Sequence, residues 1–479
     1  MNSDYIKFLL EKYNSTKINF WDTIAEKNYL NKRTKKFYRK LISKIYKLLI
    51  PEGYKILELG CGEGDLLNAL KPSYGVGVDF SNKMIEKAKA KHPNLHFFVY
   101  DVHDIPLEDK FDYIILSDLI NDVFDVQLLF RNLRKFCTES TRIVFNFYSH
   151  LWELPLNISS KLKLRIEYKE QNWLTVDDLE NILKLENYEI VNRRSEILFP
   201  FNIPLLSQFL NKFLVKLWPF NLLSLSNFLV VRLNVKIFDN KSSVSVIIPA
   251  RNEEGHIEEI FKRVPEMGSF TELIFVEGNS TDNTYQKIEE CIRKHQDKKC
   301  FLYKQTGKGK GDAVRLGFEK ASGDILMILD ADITVPPEYL PRFYDAIENN
   351  YGEFINGVRL VYPMEEKAMR FFNLLGNKFF SLAFSWLLSQ KIKDTLCGTK
   401  VLRKKDYEKI AANRSYFGDF DPFGDFDLLF GAAKLNLKIV DLPIRYGQRV
   451  YGTTNIQRWK HGWLLLKMVL FSAKKLKFI

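Results

Sequence analysis

Cysteine is scarce in this chain and shows no pairing pattern. The five present, Cys61, Cys137, Cys291, Cys300 and Cys397, are odd in number and have no CxxC spacing, which excludes a disulfide framework and a cysteine-based structural zinc site. A reducing cytosol is the compartment that usage predicts. Long apolar runs are missing too. The most apolar stretches, 197–231, 371–388 and 462–471, are interrupted by charges or by Pro, Asn and Ser, so none reaches the roughly 18 uninterrupted apolar residues of a spanning helix. Lying on a membrane surface stays open to them. The opening MNSDYIKFLLEKYNS has none of the basic, apolar and cleavage regions of a signal peptide. Internal repeats and low-complexity tracts are absent. Acidic residues are in deficit, 59 against 71 Lys plus Arg, and the resulting net charge of +12 favours anionic partners such as anionic lipid or phosphorylated substrates. No RNA-binding module accompanies that charge, so no nucleic-acid partner is expected. The lysine-dense NKRTKKFYRKLISKIYK near the start also reads as a solvated basic face.

What the chain does have is bulk and order. With 479 residues, 46% of them hydrophobic and 27% charged, it can bury more than one core. Two strand signatures of the buried parallel type, YKILELG at 54–60 and SVSVIIPA at 243–250, each lead into a turn and a helical pattern, so each reads as the first strand of its own α/β domain. The polar KIFDNKSS at 236–243 marks the boundary, giving expected domains of 1–237 and 238–479. In the first half KILEL, YGVGVD, LHFFVY, FDYIIL and TRIVFNF alternate with helical stretches, the sequence form of a doubly wound sheet.

LELGCGEGD sets Gly60, Gly62 and Gly64 where a strand meets a helix, so backbone can approach a ligand closely and helix amides can face it. The next strand ends in GVGVDFS, with Asp79 about twenty residues on, placed to accept the hydroxyls of an adenosine ribose. The third ends in YDVHDIP, with Asp101 placed to reach the adenine edge. The spacing is GxGxG rather than the GxGxxG of dinucleotide folds. The run LELGCGEG, VDFS, DVHD and FDYIILSDLIND resembles the class I S-adenosylmethionine-dependent methyltransferases over roughly 50–150. The resemblance implies a Rossmann-like sheet that binds S-adenosylmethionine. Glu58, Gly60, Gly62 and Gly64 would lie at the methionine part, Asp79 at the ribose, and Asp101 with Val102 at the adenine. The methyl acceptor is not visible; Asp118 and Asn121 in SDLINDVFD are either residues of the cofactor face or helix caps. Downstream, Thr175 and Asp178 form a capping-box start to a helix, and an extra helix and strand over the cofactor site would suit substrate selection. FPFNIPLLSQFLNKFLVKLWPF, at 199–220, fits an interfacial helix pair or docking surface as well as core packing.

In the second half, PARNEE puts Glu253 in the turn after the first strand, and FVEGNSTDNT puts Glu277 at the end of the second with Asp282 in a first helical turn. GKGKGDA supplies a basic glycine-rich loop, and ILMILDADITVPPE ends a buried strand with Asp330 and Asp332. Two carboxylates one residue apart at a strand end suit a hard divalent cation together with diphosphate oxygens. In this order the motifs resemble family 2 glycosyltransferases of the GT-A fold from about 243 to 455, with an end similar to the dolichol-phosphate mannose synthase branch. The resemblance implies that Pro249, Arg251, Glu253 and Glu277 border the nucleoside. It also implies that Lys308 and Arg449 lie near the diphosphate, that Asp330, Ala331 and Asp332 face the donor, and that Asp330 and Asp332 hold Mg or Mn. The usual DDGS is EGNS here, and Asn455 stands where the branch carries lysine. DTLCGTKVLRKKD at 394–406 matches the acceptor-side segment. FGDFDLLFGAAK at 423–434 carries the candidate base Asp425, with Asp427 as runner-up; two residues apart on a helix, they cannot both face one acceptor. The whole reading is a bifunctional enzyme in cell-surface glycan or glycolipid assembly. It would move a methyl group from S-adenosylmethionine and, with inversion, a sugar from a nucleotide-sugar donor to a polyprenyl-phosphate or glycan acceptor, from a peripheral position on the cytoplasmic membrane face. The alternative is one catalytic half and one binding or docking half. The basic, apolar stretch around Lys460, Lys467, Lys474, Lys475 and Lys477 is expected to contact anionic lipid.

Overall fold

Runs such as KILEL and VSVIIPA lack polar alternation because both faces of the strands they form are covered. In a computed structural model of the chain, which describes residues 3–27, 33–161, 171–235, 241–359, 371–414, 425–447, 451 and 458–478, such runs are the central strands of two separate sheets. Contacts divide the chain into Met1–Val235 with Lys477–Ile479, and Lys236–Leu476.

The first unit has seven strands: β1 (Lys55–Leu59), β2 (Tyr74–Asp79), β3 (His96–Val99), β4 (Tyr113–Ser117), β5 (Arg142–Tyr148), β6 (Tyr188–Glu196) and β7 (Ser226–Leu233). Their order is β3-β2-β1-β4-β5-β7-β6. The first five are parallel, and β7 runs antiparallel between β5 and β6. The order reverses between β1 and β4, and such a switch point opens a crevice at the carboxyl ends of the strands. The segment expected to lie over the cofactor instead lengthens the sheet, with β6 and β7 added beyond β5. Its helix Val176–Leu185 does begin with the expected capping box of Thr175 and Asp178. What lies across the carboxyl ends of β2, β3 and β4 is the helix Ser3–Glu26, which bonds to Ser81, Asp101 and Asp122. The following helix, Arg33–Leu49, buries Tyr38, Ile42, Tyr46 and Leu49 and exposes Lys36, Lys40, Lys44 and Lys47, so its lysines form a solvated face.

The second unit contains β8 (Val244–Ala250), β9 (Thr271–Glu277), β10 (Lys299–Lys304), β11 (Ile325–Ile328), β12 (Phe354–Val358), β13 (Lys400–Arg403) and β14 (Ile439–Pro443). The order is β10-β9-β8-β11-β13-β12-β14, with β10, β9, β8 and β11 parallel and β13 antiparallel to both neighbours. The switch point lies between β8 and β11, and Asp330 and Asp332 follow β11 there. Among the described residues, no helix is long and apolar enough to cross a membrane.

Candidate functional sites at the carboxyl ends of the strands

After β1 the chain turns through Gly60, Gly62 and Gly64 with φ of 69°, 52° and 75°. That left-handed backbone is one L-residues enter only with strain. Asp79, at the end of β2, holds the turn in place: one carboxylate oxygen accepts the Gly62 N–H at 2.9 Å and the other the Ser81 N–H at 3.0 Å. Burial pushes the Asp79 carboxyl up to about 6, against the pull of those amides. Below the turn Glu58 is 2% exposed, and its Oε2 has no hydrogen-bond partner among the described residues. Burial raises its carboxyl to about 8, with Arg39 opposing. Asp101 accepts the His103 N–H and bonds His103 Nδ1, both at 2.8 Å, and takes a bond from the Asn14 amide. Burial works against its charge, but the His103 bonds prevail and hold it below the usual carboxylate range. Val102 is half-buried against the core. Glu58, the glycine turn and Asp79 are thus brought together, with Asp101 at the end of the next strand.

Asp118 and Asn121 separate. Neither caps a helix; the cap of Val126–Leu133 is Asp125, which accepts the Leu128 N–H at 2.9 Å. Asn121, 1% exposed, accepts the Tyr148 N–H at 2.9 Å and donates to the Asn172 carbonyl at 2.6 Å, so it fastens two segments together. Asp118 is half-buried with φ 55°. Its Oδ1 accepts from the Tyr38 hydroxyl at 2.9 Å and from the Asn146 amide.

In the second unit the β8 and β9 turns are stitched together. The Asn252 N–H donates to Ser280 Oγ at 3.0 Å, and the Thr281 N–H to Asn252 Oδ1 at 2.8 Å. Glu253 is buried, with Oε2 at 3.0 Å from His256 Nδ1, while Glu277 accepts the Ser280 N–H at 2.5 Å. Pro249 is half-buried and Arg251 exposed at the mouth of these turns. Asp282 precedes the helix Thr284–Lys294 rather than lying in its first turn, and accepts the Thr284 N–H at 3.0 Å.

The basic loop holds one lysine against the aspartates and leaves the other in solvent. Lys308 is exposed, whereas Lys310 Nζ lies 2.6 Å from Asp330 Oδ1. Gly398 of the acceptor-side segment packs against this pair: a Cβ there would fall 2.0 Å from Asp330 Oδ2 and 2.4 Å from Lys310 Nζ, so a larger residue would displace both side-chain ends. Ala331 is buried, and Asp332 Oδ1 accepts from the Thr334 N–H at 3.2 Å and its hydroxyl at 2.8 Å. Sequence reasoning missed the anchor of the acceptor-side segment, a buried pair in which Arg359 donates to both oxygens of Asp394 at 2.7 and 2.9 Å. Burial opposes charge on Arg359, but the Asp394 carboxylate raises its pKa further than burial lowers it.

Asp425 opens the helix Asp425–Lys434, and its side chain lies outside the described residues, as does Arg449. Asp427 pairs with Arg414 at 2.8 Å. Among the described residues, no group of three or more His, Cys, Asp or Glu could hold a metal ion. Asp330 and Asp332, hard oxygen donors and both partly exposed, fit a cation whose remaining ligands come from substrate and water.

Residues 50–190 match the family Methyltransferase domain, and residues 245–411 match Glycosyl transferase family 2. The chain joins a methyltransferase domain to a family 2 glycosyltransferase domain. Over 219 residues, 45% of this chain and 59% of the relative, it is 32% identical to a dolichol-phosphate mannosyltransferase of Pyrococcus furiosus. Over 118 residues, 24% of this chain and 36% of the relative, it is 31% identical to an undecaprenyl-phosphate 4-deoxy-4-formamido-L-arabinose transferase of Proteus mirabilis. The chain therefore spans 59% or less of the length of these two relatives. A solved S-adenosylmethionine-dependent methyltransferase of Mesorhizobium loti overlaps 40% of this chain and 97% of its own, at 21% identity and a TM-score of 0.31.

Proposed function

We propose that the chain is a two-headed transferase. The first domain would move a methyl group from S-adenosylmethionine, and the second a sugar from a nucleotide-sugar donor to a polyprenyl phosphate. The observation that carries this is the repeated arrangement: in each unit acidic side chains gather at the carboxyl ends of parallel strands, by the switch point and beside a glycine, with Asp79 bonded to the Gly62 N–H and Asp330 packed against Gly398.

In the first domain the Gly60–Gly64 turn would hold the methionine end of the donor. Glu58 would supply the negative charge that its cationic groups call for, Asp79 would accept from the ribose, and Asp101 with Val102 would border the adenine. In the second, Glu253 and Glu277 would border the nucleoside with Pro249 and Arg251. Lys310, with the exposed Lys308 and with Arg449, would grip the diphosphate by charge-assisted hydrogen bonds. Asp330 and Asp332 would hold Mg or Mn, which when bound offsets charge on the departing diphosphate. Asp425, or Asp427 once parted from Arg414, would take the proton of a hydroxyl acceptor. A polyprenyl phosphate, already ionised at neutral pH, needs no such base, and both relatives named above carry a polyprenyl phosphate in their names. Contact with the cytoplasmic face of an anionic membrane would bring that acceptor within reach. The helix Arg458–Leu476 supports it by exposing Trp463, Lys467, Leu470 and Lys474.

The test uses the full chain. Asp79→Ala should weaken S-adenosylmethionine binding in calorimetry and leave sugar transfer intact, and Asp332→Ala should do the reverse, with transfer lost in chelator. A wild-type chain that binds only one of the two donors would establish the alternative, in which one domain is a binding or docking module.

A further inference from the structure

The ends of β1 and β4 meet where Leu119 Cδ1 lies 3.0 Å from the position a Cβ would take on Gly60. Asp118 is the residue before Leu119, so its backbone follows β4 one residue from that contact with the glycine turn. Three elements fix it there. Tyr38, from the helix Arg33–Leu49, and Asn146, from β5, both donate to Oδ1. Asn146 Oδ1 in turn accepts the Asp118 N–H at 3.2 Å and the Tyr46 hydroxyl at 2.9 Å. Ser226 of β7 bonds the Tyr38 hydroxyl at 3.1 Å. Tyr38, Tyr46, Asn146 and Ser226 are buried, whereas Asp118 is partly exposed. Two half-buried rings continue from Tyr38: Tyr148, 6.3 Å from it between centroids, and Trp173, 6.4 Å from Tyr148 and inclined at 33°. None of these groups is used in holding the methyl donor.

We propose that Asp118, Tyr148 and Trp173 form the methyl-acceptor site and that the acceptor is a carbohydrate hydroxyl. The proposal rests on the reading of the first domain as a binder of S-adenosylmethionine. The hydroxyl oxygen attacks the methyl carbon. The new O–C bond forms as the C–S bond breaks, the electron pair of that bond stays on sulfur to give S-adenosylhomocysteine, and the hydroxyl proton passes to Asp118. A carboxylate offers about four lone-pair sites, so Asp118 can accept the acceptor's O–H while still bonded to Tyr38 and Asn146. An amine attacks through its own lone pair and sheds its proton afterwards, but a hydroxyl needs its proton taken as the bond forms, the task of an oriented carboxylate. The two partly open aromatic faces match the C–H face of a sugar ring, while its hydroxyls turn to Asp118.

The experiment incubates the full-length chain with S-adenosylmethionine and a panel of methyl glycosides of hexoses and 6-deoxyhexoses, with catechol and a primary alkylamine as competing classes. S-adenosylhomocysteine and the methylated product are quantified by mass spectrometry. A methylated glycoside is expected. Asp118→Asn should cut kcat about a hundredfold or more with the S-adenosylmethionine Kd within about twofold of wild type. Trp173→Ala should raise KM for the glycoside about tenfold with a smaller change in kcat. Tyr38→Phe, which keeps the carboxylate and loses one bond to it, should fall between wild type and Asp118→Asn. Methylation of only catechol or the amine, or of nothing in the panel, overturns the carbohydrate assignment. An Asp118→Asn rate within about twofold of wild type overturns the base. Wild-type protein that fails to bind S-adenosylmethionine in calorimetry brings down the methyl-donor reading, and this site with it, which none of the other outcomes does.

Discussion

At the scale of single residues, burying Glu58 beneath the glycine turn sets stability against binding. Its carboxyl titrates near 8 in the folded chain, because burial penalises the charge, against roughly 4.3 for a free glutamate. Below about pH 4 the group is neutral in both states and costs nothing. Between about 4 and 8 the unfolded chain ionises while the folded one stays protonated, so the folded state loses stability as pH rises through that window. Glu58→Gln should therefore leave Tm nearly unchanged at pH 4 and raise it progressively toward pH 8; a constant difference across a melting series would refute the linkage. A cationic methyl donor favours the ionised form, so its affinity for wild type should climb over the same range, and Glu58→Gln should flatten that climb. In the second domain the sequence offers two lysines in GKGKGDA, and spacing alone cannot say which one faces the aspartates. With Lys310 at 2.6 Å from Asp330 and Lys308 exposed, Lys310→Ala should weaken nucleoside diphosphate binding by about tenfold or more. Lys308→Ala should change it much less, and calorimetry showing the opposite ranking would return the role to Lys308.

At the scale of elements, the helix Ser3–Glu26 was the part of the first site least visible in advance. Its partners are remote: Lys17 reaches Asp122 at 2.6 Å across 105 residues of chain, and Trp21 Nε1 donates to the same carboxylate at 3.0 Å. Lys17 is 4% exposed, so removing Asp122 takes a close acidic partner from a buried charge. Asp122→Ala should lower stability by about 3 kcal/mol and speed hydrogen exchange over Glu11–Glu26. Protection there equal to wild type would mean that other contacts hold the helix. The strands were legible because those covered on both faces are written as unbroken apolar runs, and the glycine turn and the Asp330 and Asp332 pair because their chemistry is local in sequence. Arg359 with Asp394, and the bonds of Asn121 to Tyr148 and Asn172, were not legible, because each joins groups remote in sequence whose own segments do not name the partner. The strand β6, expected over the cofactor, instead extends the sheet, because its sequence pattern does not say whether it joins a sheet edge or lies across it.

At the scale of the whole molecule, the question is how a chain with no spanning helix among its described residues would meet a lipid-borne acceptor. The helix Arg458–Leu476 buries Leu465, Met468, Ala473 and Leu476, and it exposes Trp463, Lys467, Leu470 and Lys474. The exposed positions follow spacings of four, three and four, so they fall on one stripe that alternates bulky apolar groups with cations, as an interfacial helix does. Both apolar members of the stripe are well exposed, Trp463 at 61% and Leu470 at 64%. Truncating the helix would also remove its buried residues, so surface substitutions isolate the membrane term. Each lysine near an anionic surface contributes about 1 kcal/mol, so Lys467→Gln with Lys474→Gln should lower partitioning onto phosphatidylserine-containing vesicles by about 2 kcal/mol, roughly thirtyfold, at low salt. The loss should shrink as ionic strength rises and screening shortens the reach of both charges. Trp463→Ser should weaken binding equally at low and high salt, because burial of its ring does not depend on screening. Vesicle sedimentation in which the lysine pair has no effect, while folding and donor binding are intact, would remove this helix from the membrane contact.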